Sequence, residues 1–166
     1  MPLYDNALYL IKANLEEICR GERVRAVAIG RLTVEQHEAV NAHRAAASLP
    51  RLEDSEVLFI GKHTYDSRIA RDGYTIDDVI AQIVSVMAAD AVVMQSEKMT
   101  ALESARHRAD GYGNMVRDRA ILELTQRKPR AELYSVIPKG DVNKPSAHKE
   151  KGRSKAALNA WEHSPG

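Results

Sequence analysis

The chain carries a single cysteine, Cys19, in 166 residues. This excludes an intrachain disulfide and every metal site built from several thiolates. The expected role of Cys19, on a helical stretch, is a packed thiol. Aromatic residues are scarce, with one Phe, one Trp and six Tyr, so a core has to be built from Ile, Val, Leu, Ala and Met. Neither sign of charge is in excess: 24 Lys and Arg against 23 Asp and Glu leave a net charge of +1. Composition alone therefore does not mark a nucleic-acid binder. No apolar run is long enough to span a bilayer. The opening residues, Met-Pro-Leu-Tyr-Asp-Asn, lack the basic-then-apolar order of a signal peptide. The expectation is a cytoplasmic protein with no membrane partner.

Several catalytic signatures are also missing. There is no phosphate loop, no Gly-x-Ser-x-Gly elbow and no His-Glu-x-x-His pair, and Gly111-Tyr-Gly113 is an isolated turn signal. His37 and His43 share a helical stretch at three-residue steps with Val40, not at the four-residue step of a metal pair. They read as surface or packing residues. Asp77 and Asp78 are explained by a helix start, where carboxylates meet the positive end of the helix dipole. No metal or other cofactor is expected.

The patterning predicts an α+β domain over residues 1–141, followed by a flexible basic tail over 142–166. Tyr4, Leu8, Ile11, Leu15 and Ile18 fall at helical spacing within 3–19, and Gly21 suits the end of that helix. Val24 to Ile29 reads as a short strand. Thr33-Val-Glu-Gln36 has capping-box spacing and opens a helix ending near Leu49-Pro50. Val57 to Ile60 is a short buried strand. Thr75 caps a further helix with the buried stripe Ile76, Val79, Ile80, Ile83, Val84 and Met87. After Ala91 the period changes to two, giving Ala91 to Gln95, Met99 to Ser104, Met115 to Leu124 and Ala131 to Ile137 as strands. The fold expected is helices packed on one face of a curved antiparallel sheet of about four strands. The tail is rich in Lys, Ser and Gly and poor in core-forming residues.

The stretch Glu56 to Gly73 concentrates the chemistry. A short apolar strand ends at Gly61, and Lys62, His63, Tyr65, Asp66, Ser67, Arg68 and Arg71 follow at once. Taken alone, the cluster reads as a strand end with a solvated turn. Read chemically, a histidine near neutral pKa can take a proton from a ribose hydroxyl or give one to a leaving group. Guanidinium groups bind phosphate bidentately and stabilise charge building on phosphorus. His63, Arg68, Arg119, Tyr134, Ser135 and Lys139 form a metal-independent ribonuclease set, with Arg71 as a further phosphate ligand. Against this, Arg117 and Arg119 alternate along a strand as a solvated face would. Strict strand alternation would also send Tyr134 and Ser135 to opposite faces.

Over residues 55–141 the chain resembles the barnase–EndoU–colicin–RelE nuclease superfamily, in the form of phage-encoded and polymorphic-toxin domains. The resemblance rests on Phe59-Ile-Gly-Lys-His63 through Ser67-Arg68, on Asp110-Gly-Tyr-Gly-Asn114 to Arg117-Asp-Arg119, and on Glu132-Leu-Tyr-Ser-Val-Ile-Pro138. It is one of pattern, without a diagnostic motif. It implies an RNA-cleaving, metal-independent hydrolase, with RNA as its partner and an inhibitor (immunity) protein as a second. By that resemblance His63 is the general acid or base, Arg68 a phosphate ligand and Ser135 a donor at the scissile phosphate. Many such domains carry a second histidine soon after the first, where this chain reads Arg71-Asp-Gly-Tyr74. Either Arg68 or Arg71 takes over its electrostatic part, or the domain has lost activity. Two other readings stay open: a non-catalytic phage or mobile-element binding or assembly protein, and a nucleic-acid-binding module working through its tail.

Overall fold

A computed structural model of the protein describes residues 2–95, 99–110, 112–124 and 130–140. The basic tail and the turn expected at Ser96 to Lys98 lie outside them. The described residues form an α+β fold around an open, mostly antiparallel sheet of seven strands. The expectation of about four strands was too low. The strands are β1 (Val27–Arg31), β2 (Glu56–Phe59), β3 (Val92–Gln95), β4 (Thr100–Glu103), β5 (Arg108–Ala109), β6 (Met115–Leu124) and β7 (Ala131–Gly140). Their order is β1-β2-β7-β6-β4-β3, with β5 paired to β6. The shortfall arose at β1 and β2, which join the same sheet, and at the two-residue β5. β2 runs parallel to β7, with Phe59 opposite Leu133, and that pairing has no local signal in the chain.

Helices α1 (Ala7–Cys19), α2 (Val34–Ala46) and α4 (Ile76–Val86) share one core with the sheet. Ile11 and Leu15 of α1, Val40 of α2 and Val79, Ile83 and Val86 of α4 meet Val57 and Phe59 of β2, Leu133 and Val136 of β7, and Ala120 and Leu122 of β6. Burying such aliphatic side chains stabilises the fold by about 1.5–3 kcal/mol each. Both helix starts follow from the sequence. Thr33 and Gln36 form a reciprocal capping box before α2, and Thr75 and Asp78 form another before α4. α1 begins later than its periodicity suggests, because residues 2–4 lie along β1: Leu3 bridges Gly30, and Arg31 N donates to Pro2 O at 2.7 Å. A Cβ on Gly30 would sit 2.1 Å from that same carbonyl, so only glycine admits this approach. Gly21, at φ +73°, ends α1 as expected. Cys19 is exposed, not packed.

The strand alternation also breaks where it matters. On β7, Ala131, Leu133 and Val136 face the core, so the phase changes between 133 and 136. The register with β6 explains it. Leu122 opposes Leu133 and Ile121 opposes Ser135, leaving Tyr134 as the extra residue of a β-bulge. Tyr134 and Ser135 therefore both fall off the core-facing set, contrary to strict alternation. Beyond the bulge, directly opposed residues share the outer face of the sheet: Ile121 with Ser135, Arg119 with Ile137, and Arg117 with Lys139.

Candidate functional site

The chain leaves β2 beside the bulge. Gly61, at φ +85°, turns it into a short α-helix, α3 (Lys62–Thr64), which continues as a π-helical run, Tyr65–Arg71. The polar cluster after Gly61 is thus helical, not a solvated turn. Sequence reasoning missed it because no side chain caps its start. The wide turn is closed by Asp72 N donating to Ser67 O at 3.1 Å, five residues back, and by Tyr74 N donating to Arg68 O at 2.9 Å. π-helical turns are rare and recur at functional sites.

This geometry sets His63 on β7. Its ring stacks on Tyr134 with centroids 4.5 Å apart and 17° between planes. The neighbouring Thr64 hydroxyl donates to Tyr134 O at 3.4 Å. His63 Nε2 and Ser67 Oγ lie 3.4 Å apart, one turn along the helical run. His63 is exposed, as is part of Tyr134. Partial burial lowers the His63 pKa below its ordinary value, and Arg68 and Arg71 lower it further, against Asp66. The shift favours the neutral ring, the form of a proton acceptor. We expect His63 to titrate below 6.5 in an NMR pH series, and Arg71→Gln to move its midpoint upward; an unmoved midpoint would remove Arg71 from the electrostatics of the site.

Arg68 is held inward. Its Nη1 lies 2.8 Å from Asp72 Oδ2, and both side chains are buried. Burial works against the charge of Arg68, and Asp72 supports it. Arg71 Nε binds the same carboxylate at 2.8 Å from a half-exposed position. Two guanidiniums on one carboxylate leave a single positive charge beside His63. Asp72 is fixed in turn, since the Tyr112 hydroxyl donates to its backbone carbonyl at 2.7 Å. Tyr74 donates to Asp110 at 3.3 Å and packs edge-on against Tyr112. Burial pushes the Tyr74 pKa well up, so its hydroxyl stays protonated. Asp110 also accepts from the backbone of Tyr112 and Asn114 at 2.9 Å. The helical run that carries His63 is thereby tied to the connection between β5 and β6.

The remaining residues expected at the site lie along the outer face of β6 and β7. Ser135 is 2% exposed, and its Oγ has no hydrogen-bond partner among the described residues. It neighbours Tyr134 in the chain, with no hydrogen bond to His63. Arg119 is paired within the protein: its Nε and Nη2 donate to Glu103 Oε2 at 2.9 and 2.5 Å. Arg117 reaches Glu103 Oε1 at 3.4 Å. Lys139 lies across from Arg117. So His63, Tyr134 and Ser67 come together at the bulge, Arg71 lies near enough to shift the His63 pKa, Ser135 follows Tyr134 in the strand, and Arg119 and Lys139 lie farther along the same pair of strands.

Sequence reasoning missed three partners, Asp72, Asp110 and Glu103. The four-residue step from Arg68 to Asp72 was the available signal for the first; the pairing of Glu103 with Arg119 required the register. Among the described residues, no three His, Cys, Asp or Glu side chains converge to hold a metal ion. No described helix is long and apolar enough to cross a membrane. No protein family, no curated protein and no solved structure matches the chain.

Proposed function

We propose that the protein is an endoribonuclease that cleaves RNA through attack of a ribose 2′-hydroxyl on the adjacent phosphorus, with His63 as the proton acceptor. The observation that carries this reading is the exposed His63, its imidazole stacked on Tyr134 near two arginines that share one carboxylate, with partial burial and those arginines lowering its pKa. The 2′-oxygen bonds to phosphorus as its proton passes to His63. The bond from phosphorus to the 5′-oxygen of the next nucleotide breaks, that oxygen takes up a proton from water, and a 2′,3′-cyclic phosphate remains. Arg71, the more exposed of the two arginines, meets the phosphate. Arg68 acts behind it, through the field it sets at His63. Tyr134 offers a flat ring to a base, a contact every base can make. The Ser135 hydroxyl supplies a donor next to that ring.

In EDTA, the wild-type chain is expected to cut a labelled RNA to cyclic-phosphate ends and to leave its 2′-deoxy counterpart whole. His63→Ala is expected to lose activity by about 10²–10⁴-fold, the usual contribution of a positioned acid or base. Cutting of the deoxy strand would rule out attack by the 2′-hydroxyl.

A second reading, a non-catalytic binding or assembly protein, is favoured by one specific feature. Arg68 and Arg119 are both already bonded to the protein's own carboxylates. RNA that binds and is not cut would select it.

A further inference from the structure

On the outer face of the sheet one carboxylate serves two guanidiniums. Glu103 of β4 opposes Arg119 of β6. Its Oε2 lies 2.5 Å from Arg119 Nη2, and its Oε1 lies 3.4 Å from Arg117 Nη1. A bridging carboxylate held by two arginines has the charge and donor geometry of a bound phosphate. The side chains of Glu103 and Arg119 are about equally exposed, at 15% and 14%, and that of Arg117 at 38%. The clasp is thus reachable from solvent, and its Coulomb attraction is weakened accordingly.

Its position gives it meaning. Arg117, Arg119 and Ile121 succeed one another on this face of β6, opposite Lys139, Ile137 and Ser135 of β7. The line runs from the clasp to the buried Ser135 hydroxyl, which has no partner among the described residues, and then to Tyr134, on which His63 stacks. A strand advances ~3.3 Å per residue, so the clasp stands within a few nucleotides of the stack.

We propose that Arg117 and Arg119 are a phosphate-binding pair for single-stranded RNA, and that Glu103 is its built-in competitor, which the RNA backbone must displace. This rests on the ribonuclease reading for its ligand and adds a second contact, away from the reacting bond, that sets affinity. Glu103 also selects against weak anions, since only a ligand anchored elsewhere on the same face offsets the lost ion pair.

The test is fluorescence anisotropy with a short 2′-O-methyl RNA, which binds without being cut, on the full chain at several salt concentrations. Glu103→Gln is expected to tighten binding about tenfold, the worth of one charge-assisted contact. It should also steepen the dependence of log affinity on log salt by roughly 0.7 for each phosphate newly engaged. Arg117→Gln leaves the Arg119–Glu103 pair in place and is expected to weaken binding and flatten that slope. It serves as the deciding variant if Glu103→Gln fails to fold. Unchanged or weaker binding by folded Glu103→Gln, or unchanged binding by Arg117→Gln, overturns the proposal. Because the probe cannot be cleaved, loss of the clasp effect in an active nuclease counts against the clasp alone. A clasp effect without cleavage of ordinary RNA counts against the nuclease alone.

Discussion

Arg108→Met is expected to cost about 3–5 kcal/mol of folding stability at pH 7, the usual penalty for stranding one member of a buried ion pair. Asp118 is fully buried on the core side of β6, where it accepts from Arg108 Nε at 2.6 Å and from Nη2 at 2.9 Å. Burial raises the Asp118 pKa above its ordinary 3.8, and Arg108 pulls it back. Without Arg108 burial outweighs the remaining hydrogen bond from Ser85, with Asp110 adding to it, and the carboxyl holds a proton in the native state that the unfolded chain releases above 3.8. The native variant then binds more protons than its unfolded form, so its stability falls as pH rises through that window. The penalty relative to wild type should therefore shrink as pH is lowered from 7 toward 5. Urea melts of the two proteins at both pH values measure this. A penalty under about 1 kcal/mol would show that water already solvates Asp118.

Gly61→Ala is the second large effect. Gly61 sits at φ +85°, and a Cβ there would lie 2.1 Å from Asn14 Oδ1 and 3.0 Å from the Phe59 ring. Neither neighbour can yield. Asn14 is buried on α1, with its Nδ2 donating to Arg25 O at 2.7 Å, and Phe59 is a fully buried core residue. The left-handed backbone costs an alanine about 1–2 kcal/mol and the overpacking a further 1–3. A loss of about 2–5 kcal/mol is expected in a denaturant melt. Whatever folds should also have lost the His63–Tyr134 stack, because Gly61 aims the chain from β2 onto β7. A variant with wild-type stability and an intact upfield ring-stacking signature in its NMR spectrum would contradict this placement.

Much of the fold can be read from local chemistry. The Thr33 and Thr75 caps, the stop at Gly21, the stripe of α4 and the alternation of Arg117 and Arg119 each depend on residues close in sequence. What could not be read depends on register or on distant pairing. The parallel contact of β2 with β7 joins residues far apart in the chain. The bulge at Tyr134 inserts one residue into a strand whose composition gives no sign of it, and it turns Tyr134 and Ser135 away from the core together. The π-helical run begins at a glycine without a capping side chain, so its polar residues looked like a turn.

The candidate site divides in the same way. His63, Arg68 and Arg71 stand out in the sequence because they crowd one short segment. That Arg68 points inward to Asp72, and that Glu103 closes on Arg119, follows only from how helix and strands meet. Three of the cations expected to face a substrate, Arg68, Arg71 and Arg119, are held by the protein's own carboxylates. Arg71 is left as the more exposed guanidinium beside His63.

The central claim is that an unprotonated His63 accepts the proton from a ribose hydroxyl, and the most direct measurement is the pH profile of RNA cleavage in EDTA for wild type and His63→Ala. The expected result is a wild-type rate that falls in acid with a midpoint below 6.5, following the lowered pKa of His63, and no such limb in the variant at any pH. Undiminished cleavage by His63→Ala, or an acid limb of the same midpoint in both proteins, would contradict it.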